Sequence, residues 1–330
     1  MTGFEDVLLG AYAMAPAAEE EFYDGIARLG IGGLELPLSG ATTPAWLARN
    51  ARPEWDILMT CIPAVMAGLG TDPAYGLSST DDDARSRAVA DVARARDLAR
   101  LLADKDGRRR VTAIQVHSAP GPGRGSCDAL TRSLAEILGW DLAGAQILVE
   151  HCDAQVPGQL AAKGFWSIGA EIAAALQVAG ATGRCGAEVG LSINWGRSTI
   201  EGRSASTAVE HVAAAAEAGL LRAVVLSGAT DADTAWGPAW SDAHIPPRGD
   251  DPALAASSAS LLGPEEIAAT LRAAGPGPQI AVKVSVRPAG ADVATRVAVA
   301  RAALAEVAAA RAQLTAGPRR DGLPNPRRAC

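Results

Sequence analysis

Eight short runs of apolar and β-branched residues recur along the chain, and each is followed by a stretch with helical spacing. They are VLLGAYAM (7–14), GLELPL (33–38), DILMTCI (56–62), VTAIQVHS (111–118), QILVEHC (146–152), VGLSINW (189–195), AVVLSGA (223–229) and QIAVKVSV (279–286). A strand-like run answered each time by a helical stretch is the signature of repeated βα units. The helices between them have readable ends. Glu19-Glu20-Glu21 opens the first, Asp81-Asp82-Asp83 the third and Gly263-Pro264-Glu265-Glu266 the seventh. Acidic first turns complement the helix dipole, and Pro at the first helical position gives up an N–H that has no partner anyway. The second helix, PAWLARN, is short, and the last runs from Ala291 to Leu314 in strong helix formers.

Eight alternations with no hairpin pattern predict an α/β chain folded as one (β/α)8 TIM barrel over residues 1–314, with long βα loops. Residues 315–330 are rich in Pro and Arg and read as a flexible tail, or as a strap onto a partner subunit in a homo-oligomer. An open doubly wound sheet is the competing fold. Against it, the first βα turn, AYAMAPAAEE, lacks the glycines that let a dinucleotide approach a helix N-terminus. The loop PGPGRGS (120–126) has glycines but no Lys-Ser/Thr, so it reads as a flexible loop rather than a phosphate loop.

Composition narrows the function classes. With 330 residues, 48% hydrophobic and 20% charged, the chain can bury a large core. No segment offers some 18 uninterrupted apolar residues, and the acidic start MTGFEDVLLG is unlike a secretory signal, so a cytoplasmic, membrane-free protein is expected. A formal charge of −7 disfavours nucleic acid as a partner. Five scattered cysteines (Cys61, Cys127, Cys152, Cys185, Cys330) carry no zinc or redox spacing and read as free thiols.

In a barrel of this kind, the catalytic end is the C-terminal end of the strands. Strand residues alternate between the interior and the helical ring, so polar positions two apart share a face. That parity sends Gln115 and His117, Ser192 and Asn194, and Lys283 and Ser285 inward. Glu35, Thr60, Glu150 and Ser227 join them as single interior candidates. So many ionisable groups together are either a functional pocket or a paired polar plug, because a buried charge without a partner is costly. On strand five, parity admits Glu150 or His151 but hardly both. Glu150 is the better interior residue, since an imidazole can be neutral against the helices and a carboxylate fares worse there. Asp153 then reads as a loop acid or a helix cap.

This pattern resembles the xylose-isomerase-like barrels, which include sugar isomerases and epimerases, hydroxypyruvate isomerase, inosose dehydratase and endonuclease IV. The resemblance covers most of the chain through strand order, and its motifs are ILVE (147–150), with a strand-five glutamate, and IQVHSAP (114–120), with a strand-four histidine. It implies one divalent ion held by the strand-five glutamate and by ligands on strands six to eight. Those strand ends carry Asn194, Ser227 and Lys283 here, a poor set for Mg²⁺ or Mn²⁺. The preferred expectation is therefore no cofactor, with Lys283 supplying the missing charge. The alternatives are a Lys283–Glu150 salt bridge that serves stability alone, and an ion (Mn²⁺, Mg²⁺ or Zn²⁺) held by Glu150, His117 and His244.

Tryptophans in the βα loops (Trp166, Trp195, Trp236, Trp240) suit a carbohydrate-like small molecule, although each is also an ordinary core residue. NWGRSTIEGRS (194–204) adds Arg197 and Arg203 as a carboxylate or phosphate clamp, or as solvated arginines paired with Glu201. WSDAHIPPRGDD (240–251) adds Asp242, His244 and Arg248 within a long segment, Thr230 to Leu262, that reads as a lid. The expected activity is an isomerase or epimerase moving a proton next to a carbonyl. Glu150 is its base, with a pKa raised by burial; Lys283 stabilises the enediolate and His117 carries the proton. Glu35, Gln115, Asn194, Trp195, Arg197, Trp236 and His244 line the substrate. A dehydratase or lyase using the same proton abstraction is the runner-up, followed by a Schiff-base aldolase on Lys283 and by a silent sugar-binding barrel. The DNA-repair chemistry of endonuclease IV is disfavoured, since it needs a metal cluster and a basic groove.

Overall fold

The computed structural model describes residues 3–181 and 189–316. In chain order the elements are β1 (Val7–Leu9), α1 (Glu19–Ala27), β2 (Gly33–Pro37), α2 (Pro44–Asn50), β3 (Asp56–Thr60), α3 (Ile62–Thr71), α4 (Asp82–Asp106), β4 (Val111–Val116), α5 (Cys127–Leu138) and β5 (Gln146–His151). They continue with α6 (Ile168–Ala181), β6 (Val189–Asn194), α7 (Trp195–Gly202), α8 (Ala205–Glu217), β7 (Leu221–Leu226), α9 (Pro264–Ala274), β8 (Gln279–Val282) and α10 (Val293–Ala316). The eight strands pair in parallel in sequence order and close on themselves, β1 against β8, so the chain is a (β/α)8 barrel. Cys185, Cys330 and the tail beyond Ala316 lie outside the described residues; Thr315 and Ala316 still belong to α10.

Two apolar layers hold the barrel together. Leu8, Leu58, Ala113, Leu148, Ala223, Val225 and Ala281 fill the interior. The outward faces of the strands, among them Leu34, Ile114, Val149 and Leu191, pack against the helices. Burying each leucine, isoleucine or valine among them contributes roughly 1.5–3 kcal/mol. Alternation fixes what lies above the inner layer. Two residues beyond Leu58, Ala113, Leu148, Val225 and Ala281 come Thr60, Gln115, Glu150, Ser227 and Lys283, all essentially without solvent exposure.

The helix starts follow their capping chemistry. Asp81 accepts from the N–H groups of Asp83 and Ala84, Ser126 from Ala129 and Thr43 from Trp46. Four elements differ from the sequence pattern. β1 stops at Leu9 and residues Ala11–Met14 turn into a 3-10 helix. Gly10 sits at that turn because a Cβ there would come within 2.9 Å of both Glu35 Oε2 and Lys283 Cγ. β8 stops at Val282, although the Lys283 N–H still donates to the Leu226 carbonyl and that of Ser285 to the His244 carbonyl. A helix absent from the pattern, α3, follows β3 directly; its glycines and its almost wholly apolar sequence hide its period, and Gly68 is pressed against the Tyr75 ring. The expected loop 194–204 is mostly helix α7, capped by the Asn194 side chain accepting from the Arg197 N–H.

The segment from Thr230 to Leu262 is bonded along its length. Gly228 bridges to Ile245, a 3-10 turn spans Pro252–Ser257, and Arg248 donates to the Ser260 and Leu261 carbonyls and pairs with Glu266.

Candidate active site

Two charge clusters occupy the C-terminal end of the barrel. The first is built on Glu150. Its Oε1 lies 2.9 Å from an Arg197 guanidinium nitrogen and accepts from Asn194 at 3.1 Å, while its Oε2 lies 2.7 Å from His117 Nε2 and 3.3 Å from the Thr60 hydroxyl. Arg197 continues outward, donating to the Cys152 sulfur at 3.1 Å and to Asp242 Oδ2 at 3.2 Å. Lys163 reaches the same Asp242 oxygen at 3.3 Å; the other oxygen lies 3.4 Å from His244 Nδ1, which is 3.0 Å from the Ser227 hydroxyl. The second cluster joins β8 to β2 through a Lys283 ammonium 2.9 Å from Glu35 Oε1. Tyr12 donates to that oxygen at 3.4 Å and lays its ring 5.1 Å from the ammonium. Glu35 Oε2 is buried without a hydrogen-bond partner, as are Gln115 Oε1 and His117 Nδ1.

These contacts set the ionisation. Burial pushes the Glu150 carboxyl up, but Arg197 and His117 outweigh it and hold the group well below the usual carboxylate range. The expected raised pKa of Glu150 is therefore reversed. Glu35 goes the other way, because burial outweighs the nearby Lys283 ammonium and raises it. Burial disfavours the charged lysine too, yet the Glu35 carboxylate prevails and keeps Lys283 protonated. Asp242 is held low against burial by Arg197, His244 and Lys163.

The polar positions predicted to share the interior meet there, except Ser285, which lies beyond the end of β8 and donates to the Ala243 carbonyl, but their partners differ. Lys283 pairs with Glu35 and not with Glu150; the cation against Glu150 is Arg197, which sequence reasoning left as a loop clamp or a partner of Glu201. Gln115 donates to Ser192 at 2.8 Å. Trp195 is fully buried in the layer between strands and helices. Trp236 is buried too, donating to the Ala256 carbonyl at 2.7 Å with the Arg287 guanidinium over its ring. Neither indole offers an open face to a sugar. Trp166 donates to Ser78 and the Pro120 carbonyl, and Arg203 stacks on Trp240. His151 faces the helices, and Asp153 accepts from the backbone N–H groups of Ala162 and Lys163. Tyr12 was missed because it lies on the 3-10 turn beyond β1, where strand parity no longer holds; Lys163, on an irregular loop, left no signal.

Of the expected metal trio, His117 and Glu150 meet, and with Cys152 they bring one ligand atom each within 4.8 Å of one another; His244 is engaged instead with Ser227 and Asp242. This donor set does not fit a divalent ion as arranged. The Arg197 guanidinium touches both Glu150 and Cys152, so a metal would meet a fixed positive charge and only one anionic oxygen ligand.

Residues 8–299 match the family described as Domain of unknown function (DUF4862). The chain belongs to that family. It is 32% identical, over 72% of its own length and 77% of the relative's, to the uncharacterized protein STM3670 of Salmonella typhimurium. Among solved structures it resembles a xylose isomerase domain containing protein from Salmonella typhimurium (TM-score 0.53, 12% identity, 92% of this chain and 97% of the other). It also resembles D-psicose 3-epimerase (TM-score 0.54, 15% identity, 90% of this chain and 96% of the other). The fold is thus that of the xylose-isomerase-like barrels. No helix among the described residues is long and apolar enough to cross a membrane.

The histidines give this site a pH signature. Burial lowers His117 and His244, which favours their neutral forms in the folded chain. The unfolded chain binds their protons below about pH 6.5, so stability should fall as the pH drops through that value. Urea midpoints measured between pH 7 and pH 5 should decline, and His244→Gln should flatten the slope; an unchanged slope would assign it elsewhere.

Proposed function

We propose that this protein is an isomerase or epimerase that moves a proton next to the carbonyl of a sugar or related hydroxy-carbonyl compound, using fixed cations where other barrels of this fold use a metal. The observation that carries this reading is Glu35: a buried carboxylate with a raised pKa, one oxygen held by Lys283 and the other without a partner. A general base works best when its pKa lies near the working pH, and Glu35 is shifted that way. Glu150, with both oxygens engaged and its pKa held down, is a poor base; its role is to orient neutral His117 as a proton carrier. Lys283 and Tyr12, adjacent to Glu35, supply positive charge and a hydrogen bond for the developing enediolate oxygen. The neighbouring Glu150–Arg197–Asp242 network ends in the partly exposed side chains of Lys163, Asp242 and His244. The substrate class draws support from the sugar epimerase among the structural neighbours.

Aldoses, ketoses and hydroxy-keto acids incubated with the protein in D2O, followed by NMR, test the reading. Wild-type protein should wash deuterium into the carbon next to the carbonyl of its substrate, and Glu35→Gln should slow this by about 10²-fold or more while remaining folded. Full exchange in Glu35→Gln removes the base assignment. Release of water would make the enzyme a lyase, and binding without exchange would make the barrel a silent sugar-binding protein.

A further inference from the structure

Behind β5, on the face turned away from the barrel interior, side chains from four elements converge: His151 from β5, Glu171 from α6, Glu201 from α7 and His211 from α8. Each imidazole has its Nδ1 engaged. His151 Nδ1 lies 2.7 Å from Glu171 Oε2, and His211 Nδ1 lies 3.1 Å from the Ser198 hydroxyl. Both Nε2 atoms therefore turn to the same carboxylate, 3.1 Å from Glu201 Oε2 for His151 and 3.7 Å from Glu201 Oε1 for His211. The second separation is too long for a hydrogen bond. It suits two ligands of one ion, because donors at about 2.0–2.1 Å from a tetrahedral Zn²⁺ sit roughly 3.3 Å apart.

We propose that His151, Glu201 and His211 form a metal site of the zinc type, separate from the barrel interior, that ties β5 to α7 and α8. One ligand atom from each of the three residues lies within 4.8 Å of the others, and the two histidine–glutamate separations bracket the spacing of ligands on one ion. The outer contacts are those that ligating histidines use: a carboxylate on one Nδ1 and a hydroxyl on the other fix tautomer and ring orientation. Glu171 is itself fixed by the Ser118 hydroxyl at 2.5 Å. Glu201 Oε2 already accepts from the Ala154 N–H at 2.8 Å, which leaves Oε1 as its ligand atom. A dication bound there would face two carboxylates, those of Glu171 and Glu201, which match its charge. Side-chain exposures of 13% for Glu201 and 11% for His211 leave a way in for the ion and for a water as fourth ligand. His151 follows Glu150 in the chain and α7 carries Arg197, so the ion would brace both halves of the Glu150–Arg197 pair from behind.

Co²⁺ titrated into the purified, metal-stripped full chain is the test. One Co²⁺ per chain should bind with the visible absorption of a four-coordinate ion, Zn²⁺ should displace it, and either metal should raise Tm. His211→Ala and Glu201→Gln should each weaken binding by at least about 10-fold. Cys152→Ala, which removes a donor from the barrel group, should leave it unchanged. The proposal is overturned if wild-type protein shows neither the absorption nor the rise in Tm. Binding that survives both ligand variants, or that is lost in Cys152→Ala, also overturns it, and these readouts are independent of any catalytic assay.

Discussion

Arg197→Met should lower the stability of the folded chain by about 3–5 kcal/mol, read as a drop in the urea midpoint, and should abolish catalysis. Arg197 is fully buried and is the shared cation of Glu150 and Asp242, at 2.9 and 3.2 Å. Methionine keeps much of the side-chain volume but leaves Glu150 charged, buried and facing only neutral donors. The cost is therefore that of an uncompensated charge and not that of a cavity. Glu150 can escape by taking a proton, so its pKa should rise, and the loss of stability should shrink as the pH is lowered toward the carboxylate range. Arg197→Lys should recover part of the stability, since an ammonium restores the charge but cannot bridge Glu150, Cys152 and Asp242 as the planar guanidinium does. A midpoint unchanged in Arg197→Met would mean that the network adds nothing to stability.

That prediction concerns a residue whose importance the sequence left undecided, and the reason is physical. Strand parity is a local property, so the division of Glu150 inward from His151 outward could be read along QILVEH without knowing any partner. The closed barrel was legible for the same reason, from eight βα units in order. Charge pairing is not local. Glu35 and Lys283 are 248 residues apart and meet only because β8 closes against β1 beside β2. Arg197 reaches Glu150 because Asn194 caps a helix that starts directly at the strand end, turning what read as a loop into a rigid arm. The tryptophans misled in the opposite direction. A βα position places an indole near the active end but does not decide between mouth and core, and Trp195 and Trp236 went to the core. The His151 cluster needed three helices packed against one strand before its spacing had any meaning.

Lys283→Met and Glu35→Gln, made singly and together, should separate structure from chemistry in the second cluster. Lys283→Met alone should cost about 3–5 kcal/mol, because it strands the buried Glu35 without its cation, next to Tyr12. The double variant should regain most of that loss, since a buried pair replaced on both sides by neutral groups is often close to neutral in stability. The interaction energy from the cycle equals the stability regained plus the cost of Glu35→Gln alone, so it should lie at or above about 3 kcal/mol, the upper end for contacting residues. Deuterium exchange should behave differently. If Glu35 removes the proton and Lys283 steadies the oxygen, both singles lose exchange and the double does not regain it, however well it folds. Recovery of exchange with stability would make the pair a packing device and move the base elsewhere in the barrel. Stability alone cannot distinguish these outcomes. The pairing that keeps Lys283 charged is the same contact that would aim it at a substrate oxygen, so only a variant that folds without the pair reveals which use the contact serves.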